Sequence, residues 1–558
     1  MMRLAMRRLA PVVLAAVVAL AVVVRIGVVL NRSIDPDESQ HLHVAWLVAQ
    51  GQVPYRDFWE HHLPLFHYAV APLTVWLADR PEIYFVARGL MALVAMIAVA
   101  LTWRLARRLS ADGAIWAVVV LIFLPQFAET STETRPDVPA LVAHLASLLA
   151  LVRWREGQGP KWLWVAGAWQ GVALALSLKA LYGLAGVALV VAALPPPVSP
   201  GSAVAALGSL GRLTGGVAGV LATLLAGLFV VGGAPTLAAL FRDVVLGSAG
   251  FVDYAKSWPA YGSEVGAFLV ALLGLGLVLR VRGGAILRHP VHGTLLVPAS
   301  TLVIVLLLPQ TPAVYQHAWL PLLPTVAVYA GLALATLGEW ARRSAAWGPS
   351  AVAVVAIAAA VIVPAGEAVI FAGRNQNAED LALMRQQLRM ACPGEAVLDG
   401  TALFVFRPAA YRHGVLVRGV REWVAQGLLP EPAIAADMRR ARAPVAHADR
   451  RIQGMVGAVA QFLERYYVPG PSGLLILGAE VSASTHPGRV PVELLRPGPY
   501  LLTFPSHLKV ALDGLLVEPG WHPLEARRYE ITWHNQGGTI RLAFASCPER
   551  RRLGAPGA

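Results

Sequence analysis

The chain reads as an all-α polytopic membrane domain followed by a soluble α+β domain. Three observations predict this. Of 558 residues, 57% are hydrophobic and only 14% are charged, whereas a soluble chain carries about a quarter charged residues. The hydrophobic residues gather into about eleven apolar runs, each near the length that a bilayer core requires. From about Ala372 the hydropathy drops, leaving a tail of roughly 185 residues, an ordinary domain size. The expected division is therefore 1–371 for the membrane domain and 372–558 for the soluble one.

The start, MMRLAMRR, resembles a signal n-region. The apolar run after it, Pro11–Leu30, carries Arg25 and lacks a clear A-x-A site, so it reads as an uncleaved first span. Arg3, Arg7 and Arg8 place the N-terminus in the cytoplasm. The next apolar piece, Leu63–Ala78, is short and broken by Pro64 and Pro72. If it spanned, Arg104, Arg107 and Arg108 would face outside, so it reads as an outer interfacial segment. Further spans are expected at 83–103, 113–128, 137–152, 162–178, 180–195, 213–232, 264–280, 293–308, 318–337 and 349–370. With this map every basic cluster falls inside. That accounts for the net charge of +13 without a nucleic-acid partner. The 195–212 stretch, rich in Pro, Gly and Ser, reads as a linker.

An odd number of spans puts the C-terminal domain outside the cytoplasm. Its first half looks helical with some strand (Met384–Met390, Ala433–Arg442, Ile452–Tyr467). Its second half alternates between turn signals, as in HLKVALDG and YEITWHNQGGTIRLAFAS, and reads as β hairpins. The two cysteines, Cys392 and Cys547, both lie here, and an oxidising compartment permits their pairing.

The stretch Ile34 to Tyr68 stands at the outer end of the first span and gathers acids and histidines. Asp35-Pro36-Asp37-Glu38 fits a helix start, with Asp35 as N-cap and Glu38 closing a capping box. Gly51 is a natural stop. Leu42, Ala45, Trp46 and Ala49 recur at helical spacing, so a short amphipathic helix at the interface is expected. Capping uses Asp35 and Glu38 and leaves Asp37 without a structural task. Ionisable residues at a membrane edge are costly and point to function. The others expected on the outer side are His61, His62, Glu133, Arg135, Asp137, Lys179, Tyr182, Arg242, Tyr315 and His317. Several have plain structural readings: Glu133 or Asp137 as helix caps, Lys179 as a snorkelling side chain, His61 and His62 as interface residues.

Carboxylates and cations at one bilayer face suit a reaction on an anionic lipid-linked substrate. Cations would neutralise a phosphate leaving group, and a carboxylate would take the proton of an incoming hydroxyl or amine. The sequence has no Walker loop, no GxGxxG after a strand, no HExxH and no CxxC, so no nucleotide or dinucleotide cofactor is expected. His and carboxylate groups together suit a divalent cation, though the spacing identifies no metal ligands.

The PDE followed by a helix and GQVPYRDFWEHHLPLFHY resembles the first outer loop of the GT-C glycosyltransferases, within them family 39: the protein O-mannosyltransferases and aminoarabinose transferases. The stretches ARGLMALVAMIAVALTWRLARRLSADGAIWAVVVLIFLPQFAETSTETRPDVPALV and YQHAWLPLLPTVAVYAG resemble later parts of the same family, so the likeness covers most of 20–340. It implies a multi-span, inner-membrane enzyme. Such an enzyme moves a sugar from a polyprenyl-phosphate donor to an extracytoplasmic lipid, glycan or protein, with inversion. The family's catalytic aspartate carries over to Asp37, with Glu38 beside it. Where the aminoarabinose transferases carry Lys-Pro-Pro, this chain reads His62-Leu63-Pro64, nearer the His-Pro of the mannosyltransferases. The rival readings are a flippase of a lipid-linked sugar, a non-catalytic membrane anchor for an outer sensing domain and, among enzymes, an O-antigen ligase or polymerase. A flippase would need polar groups deep in the membrane middle, whereas here they gather at one edge.

Overall fold

The structure, a computed structural model, describes residues 2–194, 203–246, 271, 274–276, 283–307, 316–343, 362–363, 365–484, 486–534 and 537–555. It comprises two compact bodies. The first holds Met1–Ser33, His61–Ala69 and Glu82–Asn377, and the second Ile34–Glu60, Val70–Pro81 and Ala378–Ala558.

The first body is helical. Its helices are α1 (Met2–Asn31), α4 (Ile83–Arg107), α5 (Ala111–Phe123), α6 (Pro125–Thr130), α7 (Asp137–Arg155), α8 (Lys161–Leu176), α9 (Ala180–Ala193), α10 (Ala203–Leu240), and the later helices Pro290–Leu307 and Leu323–Arg343. Two intervening helices, α2 (Pro36–Ala49) and α3 (Leu65–Trp76), precede α4 in the chain. Among the described residues four helices are long and apolar enough to cross a membrane, or five if Ala16–Asn31 and Pro36–Ala49 count as one broken span. The shorter apolar helices include Ala111–Phe123, Ala180–Ala193 and Pro290–Leu306.

Two expectations change. The 113–128 span is broken, because Pro125 keeps Leu124 out of the helical region (φ −59°, ψ 118°) and α6 starts afresh. The expected 195–212 linker is helical from Ala203 onward, since its Ala and Leu residues favour helix and simply extend α10. The expected spans 264–280 and 349–370 fall mostly outside the described residues.

Small residues let these helices approach closely, as membrane helices require. A Cβ at Gly167 on α8 would stand 2.0 Å from the Leu213 carbonyl oxygen of α10, and one at Gly331 would stand 2.4 Å from the Gly113 carbonyl oxygen of α5. The end of α1 is fixed by polar bonds. The buried Arg88 donates to the carbonyls of Arg32 and Ser33, each at 2.8 Å, and Asn377 Nδ2 donates to the Leu30 carbonyl at 2.6 Å.

The second body is α+β, as its alternating patterns predict. Strands β1 (Val397–Asp399), β2 (Val445–His447), β3 (Tyr467–Pro469), β4 (Leu474–Ala483), β6 (Gly498–Thr503), β9 (Gly520–Leu524) and β11 (Gly538–Phe544) form one sheet, ordered β1-β2-β4-β11-β6-β9 with β3 also on β4. Strands β5 (Gly488–Glu493), β7 (Lys509–Leu512), β8 (Leu515–Val517) and β10 (Arg528–His534) form a second, ordered β5-β10-β7-β8. Among the described strands, β1 and β2 are the one parallel pair. Tyr500, Leu502, Ile531, Trp533, Ile540 and Phe544 are buried together in the core. The hairpin β7–β8 turns on Asp513-Gly514, whose φ angles of 49° and 82° suit the tight turn that such a pair favours. Cys392 and Cys547 are bonded to each other.

Candidate active site

Within the second body, α2 begins as the sequence predicts. Asp35 caps it, its carboxylate accepting from the Asp37 N–H at 2.8 Å, and Glu38 accepts from the Asp35 N–H at 3.2 Å. The helix ends at Ala49, and Gly51 takes the left-handed conformation at φ 81°. The expected amphipathic surface helix is a correction. Glu38 through Ala45 are all buried, His41 and His43 included, so the helix has no exposed polar face over these two turns. His43 Nδ1 bonds the Val405 carbonyl at 2.8 Å and its ring meets Phe404 edge-on.

Asp37 is a third exposed, and its Oδ1 lies 3.9 Å from an Arg451 guanidinium nitrogen. Glu38 is fully buried in its capping role. The two residues named as catalytic in the sequence thus have different surroundings: one carboxylate reaches solvent and a cation, the other is enclosed.

Beside Arg451 the parallel strands β1 and β2 end on a polar group. His447 Nδ1 lies 3.1 Å from Asp399 Oδ2, which also accepts from Gln387 at 2.8 Å. Asp449 accepts from the backbone N–H groups of Gly400 and Arg451, each at 2.6 Å. Burial disfavours the His447 imidazolium, but the hydrogen bond and charge of Asp399 outweigh it and hold the ring above its ordinary pKa. Asp399 is buried too, yet His447 holds it below the ordinary carboxylate value. Burial first, and the Asp399 charge second, push Asp449 up. Ligand atoms of Asp399, His447 and Asp449 lie within 4.8 Å of one another, a donor set that suits a divalent cation.

Within the first body, five of the ten expected substrate- and phosphate-binding residues come together. Lys179 Nζ lies 2.9 Å from Asp137 Oδ1, and Arg135 lies 3.4 Å from Asp137 and 3.6 Å from Glu133. His317 Nε2 and Arg32 both pair with Glu133. Arg32 also reaches Glu129 at 3.4 Å. Arg25 bonds Ser131 Oγ and donates to the Ala128 carbonyl at 3.2 Å. Three cations, Arg32, Arg135 and Lys179, thus meet three carboxylates, Glu129, Glu133 and Asp137, while Arg25 is held by Ser131 and backbone carbonyls. A cavity of about 30 Å³ lies among Asp137, His144, Ser177, Lys179 and His317, room for a single water.

Tyr182 packs against the apolar cluster of Leu302, Leu306, Ala318 and Leu322. Arg242 is exposed and held by its neighbour Asp243 at 2.7 Å. The rings of His61 and His62 are 3.9 Å apart. Tyr315 lies outside the described residues. Arg25 and Arg32 were not singled out from the sequence, although charges in or beside the first apolar run are the kind of signal that marks a site. Arg451 gave no signal, since its approach to Asp37 depends on folding across more than 400 residues.

Residues 64–207, about a quarter of the chain, match the family described as dolichyl-phosphate-mannose-protein mannosyltransferase. The structure is similar to that of ArnT from Cupriavidus metallidurans bound to undecaprenyl phosphate, with a TM-score of 0.52 and 14% identity, covering 84% of this chain and 98% of that one. The chain has the GT-C fold. The same ArnT in its apo state gives a TM-score of 0.51 at 14% identity and the same coverage. The GT-C likeness to the arabinosyltransferase EmbB from Mycobacterium smegmatis is lower, with a TM-score of 0.41 and 13% identity over 95% of this chain and 64% of that one. No curated protein sequence matches the chain.

Proposed function

We propose that this protein moves a sugar from a polyprenyl-phosphate donor to an acceptor outside the cytoplasm, by direct displacement with inversion. Asp37 takes the proton of the acceptor hydroxyl. The acceptor oxygen attacks the anomeric carbon, the bond from that carbon to the phosphate oxygen breaks, and the lipid phosphate leaves with the electron pair. Cations such as Lys179, Arg135 and His317 meet the charge that develops on the phosphate. The membrane orientation expected from the basic loops, about eleven spans with the C-terminal domain outside, belongs to this reading. The bonded Cys392 and Cys547 support an oxidising compartment for that domain.

The observation that carries the reading is the division of labour at the start of α2. Asp35 and Glu38 cap the helix, and Asp37 between them faces Arg451 and solvent instead. Glu38 then acts by holding the turn that aims Asp37. Arg25, held by Ser131, adds a cation beyond the three that pair with Glu129, Glu133 and Asp137, and this supports an anionic substrate. An ArnT with undecaprenyl phosphate bound shares the fold, which supports a donor of that lipid class.

The test uses purified protein and a labelled polyprenyl-phosphate sugar, with release of lipid phosphate as readout. Asp37→Asn keeps shape but cannot accept a proton, so turnover should fall by about 10²–10⁴-fold. Asp35→Asn should be mild, because Asn caps about as well as Asp. If the wild type releases no lipid phosphate while moving the lipid across a vesicle, the flippase reading replaces this one.

A further inference from the structure

The second body contains a cavity of about 300 Å³, lined by charged residues together with Ile34 and Leu403, whose wall includes Pro36 and Ser39 on either side of the Asp37-Glu38 pair. Its other lining groups include Asp380, Thr401, His447, Asp449, Arg450 and Arg451. Arg451 links the cavity to Asp37 through their 3.9 Å contact. We infer that this cavity is the acceptor pocket and that it takes a neutral, polyhydroxylated group, a sugar ring of the acceptor. The inference rests on the transferase reading above and deepens it.

Three features point there. A general base must lie within hydrogen-bond reach of the proton it removes, so the acceptor hydroxyl has to be delivered next to Asp37. The cavity is contiguous with the turn that carries Asp37. Second, its charges balance. Asp380 and Asp449 face Arg450 and Arg451, and His447 is already engaged by Asp399. A balanced wall has no surplus cation for a phosphate, and its mixture of charged groups with Ile34, Pro36 and Leu403 suits a sugar ring, which presents both hydroxyl groups and C–H faces. Hydroxyl groups, which both donate and accept, can satisfy carboxylates, guanidinium groups and an imidazole at once. Third, the volume sits at the lower end of the ~300–1,000 Å³ typical of small-molecule sites, a fit for a ring-sized group.

Asp380, half-buried at the start of the helix Ala378–Met390, and Arg450, exposed at the start of the short helix Arg450–Gln453, are the handles of this pocket. Both can be changed without opening the core. Membranes carrying full-length protein and their own acceptors would be given a labelled polyprenyl-phosphate sugar. Two products are then counted: label transferred to acceptor, and label released by water. Asp380→Asn and Arg450→Gln should each lower the ratio of transfer to hydrolysis at least tenfold, and Asp380→Glu should restore much of it. Millimolar methyl glycosides should inhibit wild-type transfer, less so in Asp380→Asn, while inorganic phosphate at the same concentration should not discriminate between the two. If transfer and hydrolysis fall in step, the cavity serves the donor or the fold and the assignment is wrong. An unchanged ratio, or inhibition by phosphate that Asp380→Asn relieves, also overturns it. If the wild type consumes no donor at all, the transferase reading itself fails and takes the pocket assignment with it.

Discussion

Lys179 Nζ stands 2.9 Å from Asp137 Oδ1, yet the two residues differ sharply in exposure: the lysine side chain is 34% exposed and the aspartate 7%. The pair joins the start of α7 to the turn before α9. Asp137 is held by Arg135 as well, so Lys179 is the member of the network that can turn toward a ligand without stranding its partner.

This asymmetry predicts opposite outcomes for the two residues. Lys179→Met removes one donor to the departing phosphate and should lower turnover by about 10²–10³-fold, the usual effect of losing one such donor. Its effect on stability should be small. Asp137→Ala leaves Arg135 and Lys179 facing each other and should destabilise by about 3–5 kcal/mol, as breaking a buried pair does. Turnover and thermal unfolding in detergent, measured on both variants, separate the two roles. Equal losses of stability would remove the ligand-facing role of Lys179.

The bond between Cys392 and Cys547 spans 155 residues. In the chain-entropy view a loop of that length contributes at most about 5 kcal/mol. The double substitution Cys392→Ala, Cys547→Ala should therefore lower the melting temperature of the C-terminal domain, and reducing agent should do the same to wild type but not to the double variant. Peptide mapping under non-reducing conditions that recovered both thiols free would remove the bond itself.

The pair His447–Asp399 predicts a pH dependence of stability. A raised histidine pKa means that the folded state holds its proton more tightly than the unfolded state, whose value is about 6.5. The stabilisation is complete below that value and is lost as pH climbs through the raised one. The raised Asp449 acts in the same direction. The lowered Asp399 acts on the acid side: its contribution is present above about 3.9 and is lost as pH falls through its lowered value. Stability should peak on the mildly acidic side and decline toward alkaline pH. His447→Gln should flatten the alkaline decline. Thermal melts across pH 4 to 9, roughly the span of these values, would check it, and an unchanged slope in His447→Gln would assign the decline to other groups.

The local features of the chain were legible without its fold. Asp35, Pro36 and Glu38 define their cap within four residues, and Asp513-Gly514 defines its hairpin within two. Both depend on backbone geometry and on bonds to near neighbours, so the order of residues suffices. The positions of the long apolar helices followed from composition for the same reason. Pro125 shows where that reading stops. Hydropathy is blind to one proline in an apolar run, and the proline divides the run into α5 and α6.

Other features were decided only by the tertiary structure. The face that α2 buries depends on what packs against it, and Glu38 to Ala45 are buried all round, so a periodic pattern read as amphipathic covers a buried helix. The gathering of Arg25, Arg32, Glu133, Lys179 and His317 joins residues separated by up to nearly 300 positions, and the approach of Arg451 to Asp37 joins residues more than 400 apart. A charge in a sequence shows that some partner must exist, because a buried charge is costly alone. Which partner it finds is set by the close approach of helices at small residues such as Gly167 and Gly331, and by the strand ends that carry Asp399 and His447 to one place.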